Sequence, residues 1–392
     1  MEMKIDKSNW KTVKLIDVFT KKEENDKENA KNRFDRFLKV NHMDAESLNI
    51  KRWSSQESGD ELNPYFYKIF RKGQILFPTR NPHLRRAVLA SFDGITGEKT
   101  LTLEPKEQYL VPDFIPFLFH SESFYAHTTG AIIGSTNPHC RWRDVANYEF
   151  LLPPKDQQAK LAKLLWAMDE VVEREKEVLE KLRINLEVKS SELIWKNGHS
   201  IENLISYADS NIGKLIDGDW IESKDQSEEG IRLIQLADIG VRKFINKSRR
   251  YINEETFQRL RCFEVLPDDV LIARMPDPIG RACIIEDVGE RMITAVDCCI
   301  ARVDKSHSYN RFLLHLLNTR EFLYKANLLA SGTTRQRIAR KVLEEIKVPK
   351  PELNEQESIA NKLDNLYNVM LQLELKIQSS NALQKSLINK VF

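Results

Sequence analysis

A segment beginning at Gly134, GSTNPHCRWRDVANYEFLLPPKDQQAKLAKLL, returns 198 positions later at Gly332 as GTTRQRIARKVLEEIKVPKPELNEQESIANKL. In the same ungapped register Ile95-Thr96 matches Ile293-Thr294, Phe114 matches Phe312, Phe124 matches Phe322 and Thr136 matches Thr334. Pro153, Ala162 and Leu165 likewise match Pro351, Ala360 and Leu363. Arg86-Ala87 matches Arg281-Ala282 at an offset of 195, which places a small insertion in a loop between. Chance rarely holds one register over roughly a hundred positions, so the chain reads as two copies of one unit.

Each copy has a mixed front and a helical tail. VLIARM, ACIIEDV and CCIARV in the second copy are short apolar, β-branched runs separated by Asp, Pro and Gly, and they predict strands. RFLLHLLNTREFLYKANLLA, from Arg311, has apolar residues three and four apart and predicts one helix. In the first copy QILFPT and RAVLASF predict strands, and FIPFLFHSESF predicts a helix interrupted by Pro116.

The tails carry a seam of period 3.5. Leu161, Leu165, Met168, Val172, Glu175, Leu179, Leu182, Leu186, Lys189 and Leu193 alternate steps of four and three. Ile359, Leu363, Leu366, Met370, Leu373, Ile377, Ser380, Gln384, Leu387 and Val391 repeat this 198 positions on. Such a pattern over more than four heptads favours long supercoiled helices, here of about 40 residues and about 60 Å. The helix-pair core is expected at Leu161, Leu165, Met168, Val172, Leu179, Ile359, Leu363, Leu366, Met370 and Ile377, with Lys163 and Asn361 outside it. Pro153-Pro154 and Pro349 with Pro351 force extended chain before each helix, so Asp156 and Asn354 suit N-caps. The expected fold class is α+β: two mixed α/β domains, 1–152 and 198–350, separated by two long antiparallel helices, 153–197 and 351–392. These helices form an intramolecular coiled coil and give the repeat a pseudo-two-fold axis.

Several chemistries are missing. Sixty Lys plus Arg against 58 Asp plus Glu leave a charge of only +2, so any nucleic-acid contact must come from local patches. Cys140, Cys262, Cys283, Cys298 and Cys299 lack ligand spacing and read as buried reduced thiols, and no metal site is expected. Asn63-Pro64-Tyr65-Phe66 and Asn81-Pro82-His83 each lack the second proline of a methyltransferase loop. No phosphate loop, nucleophile elbow or complete Pro-Asp nuclease pattern is found, so the chain itself is expected to be non-catalytic and to bind no cofactor. No run of about 18 apolar residues occurs, and a cytoplasmic protein is the expectation.

Basic and polar residues gather where the repeat is best preserved. Thr136, Asn137, His139, Arg141 and Arg143 follow Gly134; Thr333, Thr334, Arg335, Gln336, Arg337, Arg340 and Lys341 follow Gly332. Glycine permits a tight loop, and these side chains donate to phosphates and base edges. A second cluster comprises Arg80, Arg85 and Arg86 in the first copy and Arg274 and Arg281 in the second, around the loop MPDPIGR. Two similar scaffolds with different loop chemistry would read two different sequences.

Paired GSTxxxxxR/K…LPxPxxxEQxxIAxxL segments, each closing a variable unit and opening a long helix, resemble the specificity (S) subunit of type I restriction-modification systems. The likeness is firmest over residues 332–363 and covers nearly the whole chain. It implies two target-recognition domains, each reading half of a split double-stranded DNA site, and conserved helices that act as a ruler. The helices would also dock two methyltransferase subunits carrying S-adenosylmethionine for adenine methylation. ATP- and Mg-dependent motor-nuclease subunits would join for cleavage in phage defence. Two other readings stand beside it: the recognition subunit of a modification enzyme without a motor, and a coiled-coil scaffold with no nucleic-acid role.

Overall fold

Proline closes each front segment, and in both copies a long helix begins immediately after it. The computed structural model describes residues 5–196 and 198–392. The first four residues and position 197, at the expected end of the 153–197 segment, lie outside it. The two long helices are Lys155–Ser190, continued by a wider π turn at Ser191–Trp195, and Leu353–Val391. Asp156 and Asn354 sit inside the first helical turn rather than capping it. The turns are closed by Gln158 N–H on the Pro154 carbonyl and Gln356 N–H on the Glu352 carbonyl, each 2.9 Å. The chain divides into two compact units: one runs through Lys176 and includes Leu375–Phe392, the other is Glu177–Glu374.

In the first unit an antiparallel pair, Lys11–Lys14 with Glu149–Leu152, joins the entering chain to the strand before the long helix. A four-stranded sheet runs Phe19–Lys21, Thr100–Pro105, Ile75–Pro78, Val88–Leu89. A second sheet of five short strands includes Arg36–Leu38 lying parallel to Gly94–Gly97, paired Leu38 to Thr96. The predicted helix at Phe114–Phe124 is instead a 3₁₀ segment, Ile115–His120, followed by a helix at Glu122–Gly130. Ser121 breaks the run by accepting from Phe124 N–H as an N-cap. The core is aromatic: Phe77, Phe114, Phe117, Phe119 and Phe124 are buried, with the Phe119 and Phe124 rings edge-on at 5.0 Å. Ala162 and Leu165 of one long helix and Leu387, Ile388 and Val391 of the other complete this core, so within this unit the two helices run antiparallel. Val172 and Ile377 are also buried, while Leu161 and Met168 are half-buried at the edge of the cluster.

The second unit repeats the plan. Ile201–Asn203 pairs with Lys347–Pro349, and a four-stranded sheet runs Ile216–Asp217, Cys298–Ala301, Val270–Ala273, Ala282–Ile284. A parallel pair again appears, Ile231–Ile234 with Met292–Thr294, in which Ile234 sits opposite Thr294. The Thr294 hydroxyl donates to the Ile234 carbonyl at 3.3 Å, as Thr96 donates to Leu38 at 3.1 Å in the first unit. The single helix expected from Arg311 is two, Asn310–Leu317 and Arg320–Leu328, because Thr319 caps the second by accepting from Phe322 N–H. Leu313, Leu316 and Leu317 pack with Ile338, Leu343, Ile359 and Leu363, and Leu186 and Ile194 of the first long helix join them. Leu366 and Met370 lie at the margin of this cluster, and Leu179 is buried. At about 1.5–3 kcal/mol for each fully buried Leu or Ile, this packing outweighs anything the helices gain from surface ion pairs.

All five cysteines are free and buried. Among the described residues no cluster of His, Cys, Asp and Glu could hold a metal ion, and no helix is long and apolar enough to cross a membrane.

Candidate nucleic-acid interface

Each unit builds the same loop. In the first, Ile133 and His139 exchange backbone hydrogen bonds of 2.9 and 3.1 Å, enclosing Gly134–Pro138. Gly134 has φ +82°, and a Cβ there would stand 3.2 Å from the Asn137 carbonyl oxygen. In the second, Ser331 and Arg337 exchange bonds of 3.0 and 2.9 Å around Gly332, which has φ +105°. A Cβ on Gly332 would lie 2.6 Å from the Arg335 carbonyl oxygen, so this turn requires glycine. The outgoing arm of each loop is laid on a sheet strand: Cys140 N–H donates to Thr79 and Ile338 N–H to Arg274, both at 3.0 Å. This brings Arg80 beside His139, whose Nδ1–H donates to the Asn137 carbonyl at 2.9 Å.

The expected contact residues divide into two groups. Thr136 and Asn137 in one loop, and Thr334, Arg335 and Gln336 in the other, are exposed on their turns, and Arg80 and Arg143 are exposed as well. The other arginines are committed to the protein. Arg274 is 7 % exposed, donating to Asp217 at 2.6 Å and to the Ile338 carbonyl at 2.9 Å. Arg281 is 8 % exposed and donates to the carbonyls of Ile239, Met275, Pro278 and Leu236. Arg340 holds Asp217 and Glu344, and Arg337 donates to the Val296 carbonyl at 2.6 Å beside Asp297. Arg85 grips Glu122 and Glu46 and Arg86 reaches the Val40 carbonyl, both half-buried. The Arg85 and Lys385 hydrogen bonds hold the Glu122 carboxyl down at about 2. In this conformation Arg274 holds the outgoing arm of the second loop through the Ile338 carbonyl and Arg337 lies on that arm, whereas Arg85, Arg86, Arg281 and Arg340 are engaged with other segments of their units.

Residues outside the expected set share the first unit's surface. Arg80 lines a cleft of about 410 Å³ with Asn63, Tyr65, Phe66, Glu98 and Lys99. Tyr65 is 70 % exposed there, with its N–H on the Asn63 side chain at 2.9 Å. The Asn-Pro-Tyr-Phe run, short of a catalytic loop, thus supplies an aromatic and an amide next to an arginine, a set suited to stacking and base-edge contact. Arg36 stacks on Trp53 at 4.9 Å, and Trp220 is 68 % exposed in the second unit. The signal that would have found them is an aromatic residue within a polar, turn-forming segment.

The profile of the type I restriction modification DNA specificity domain matches residues 7–183 and again 211–382, once in each half of the repeat. The chain belongs to this family. The specificity subunit of the type I restriction enzyme MjaVIII from Methanocaldococcus jannaschii is 24% identical over 320 residues, 75% of this chain and 71% of that one. Among solved structures, a chain from a type I R-M system described for its complex assembly and conformational transition superimposes with TM-score 0.62 at 21% identity, covering 97% of each chain. A type I restriction-modification S subunit from M. genitalium gives TM-score 0.58 at 14% identity, covering 100% of this chain and 98% of that one. Membership makes this chain a DNA-recognising specificity subunit, a non-catalytic class of protein, and it removes the scaffold reading.

Proposed function

We propose that this specificity subunit binds a split double-stranded DNA target, one half-site to each unit. The observation that carries the reading is the pair of equivalent loops with unlike exposed residues: Ser135, Thr136 and Asn137 on one, Thr333, Thr334, Arg335 and Gln336 on the other. Arg80, with the Tyr65 cleft, extends the first reading surface. His139 and Arg143 contribute at its edge, Arg274 and Arg337 act by holding the second loop in place, and Arg281, Arg340, Arg85 and Arg86 act by fixing the surrounding scaffold. Phosphate neutralisation is shared with partner chains, so a chain of charge +2 needs only a few base-edge contacts of its own.

The long helices set the separation of the half-sites and dock two methyltransferase subunits, which bring S-adenosylmethionine and methylate adenine. Motor-nuclease subunits with ATP and Mg complete a cytoplasmic complex that restricts phage DNA. Mapping methylated adenines in cells that express this subunit with its methyltransferase tests the reading. A motif of two short fixed sequences around an unread gap is expected; a single continuous motif would refute it.

A further inference from the structure

Positions that do the same packing in the two units carry opposite charges. In the first unit Lys385, near the end of the second long helix, pairs with Glu122 at 2.7 Å and with Glu46 at 3.1 Å. The equivalent residues 198 positions away are Arg320 and Glu187, and in the second unit these pair with each other at 3.5 Å. The signs of helix and domain are exchanged. Neighbouring hydrogen bonds join the same two segments in both units: Glu122 N–H donates to Asn389 at 2.8 Å, while Ser191, 198 positions before Asn389, donates to Glu321, the residue after Arg320. The helix-to-helix pairs differ in the same manner. Glu175 faces Lys376 at 3.1 Å in the first unit, and Arg183 faces Glu374 at 2.8 Å in the second.

Because the two halves share one fold, each half offers a surface on which a second copy of itself would fit. The charges decide against this. If the first half paired with its own copy, Glu187 would take the place of Lys385 and meet Glu122 and Glu46. Arg183 would meet Lys176, which stands 198 before Glu374, and the buried Glu175 would meet Val178. If the second half paired with its own copy, Arg320 would meet Lys385, and Lys376 would meet Leu373. We propose that these residues form a pairing code that admits the unlike half and rejects the like one. Each ion pair alone is weak, all but the Glu175 pair being exposed, but each flips from attraction to repulsion or loses its partner, and all do so together.

The test uses the full chain with a protease site inserted beside the exposed Gly198 and cut after folding. The nicked protein is dissociated in urea, refolded at low salt and weighed by native mass spectrometry. Complexes of one first half with one second half are expected to dominate, and E46K/E122K should raise the minor share of first-half pairs at least five-fold at low salt and less at high salt. Like pairs as abundant as unlike ones in the parent, or a share unmoved by the substitutions, would overturn the code. Should the nicked chain not refold, the intact chain decides: K385E and E122K should each lower the melting temperature and together cost less than the sum of the two, the Arg85–Glu122 and Lys385–Glu46 pairs staying broken, whereas additive losses would remove the basis of the proposal.

Discussion

Gln158 and Gln356, 198 positions apart, make the same three hydrogen bonds in their respective units. Gln158 Nε2 donates to the carbonyls of Tyr109 and Pro153 and its Oε1 accepts from Val111 N–H; Gln356 does the same with His307, Pro351 and Tyr309. Both are buried to 1 % exposure or less. Each fastens a loop of the front domain to the first turn of a long helix.

Removing either amide should therefore be costly. Gln158→Ala or Gln356→Ala strands buried backbone groups, and a loss of about 2–4 kcal/mol is expected for each at about 1–3 kcal/mol per unmet group. Urea titration of the variants measures it. A loss below about 1 kcal/mol would mean that water or a shifted loop replaces the amide.

In the second unit the exposed and buried arginines should separate cleanly. Arg335→Ala and Gln336→Ala should leave the melting temperature unchanged while relaxing one half-site, by about 1–3 kcal/mol of discrimination for a lost base contact. Arg274→Ala should destabilise the fold and weaken both specific and random DNA binding together. Thermal melts with competition binding on mismatched half-sites make the comparison.

In the first unit Arg80→Ala, Asn137→Ala and Tyr65→Ala should change selection at the other half-site and leave the one read by Arg335 intact. Methylation of a library randomised at both half-sites resolves the two. An equal loss on every sequence would assign these residues to phosphates.

Excising one heptad from each long helix shortens both by about 10 Å. On the proposed ruler the unread gap then contracts by about three base pairs at about 3.4 Å each, with both half-sites unaltered. Changed half-sites with an unchanged gap would contradict it.

His120 gives the first unit an acid sensitivity. It is buried, its Nε2–H donates to the Ala87 carbonyl at 2.9 Å, and burial depresses its protonation to about 4. The unfolded chain takes up this proton near 6.5, so between about 6.5 and about 4 the unfolded state binds more protons and stability falls with pH. At about 1.4 kcal/mol per unit the total is about 3–4 kcal/mol. His120→Gln should flatten that part of the stability profile; an unchanged slope would assign it to other groups.

The repeat, the heptad seam and the strands at Val270–Ala273 and Cys298–Ala301 are legible in the residues because each rests on local periodicity or on self-comparison. The breaks at Ser121 and Thr319 are not, since a hydroxyl inside an apolar helical run betrays its capping role only when the next turn's N–H is seen to reach it. The arginines illustrate the remaining limit. Arg274 and Arg335 look alike in sequence, and what separates them is Asp217, 57 residues before Arg274, which folding brings to its guanidinium. The two copies also diverge where they should be most alike: His315 donates to Asp364 at 2.9 Å, whereas the equivalent Phe117 packs on Trp166 at 4.9 Å. A buried polar pair and an aromatic pair fill one niche, and no pattern of periodicity predicts which.

The bridge between Ser331 and Arg337 closes the second loop through main-chain atoms, and the bend depends on Gly332 alone. Thr333, Thr334, Arg335 and Gln336 consequently carry no duty to the scaffold. If they read DNA, the letters of the target can be rewritten by point substitution while the frame that displays them stays put, so that a new recognition sequence demands no renegotiation with the folded state.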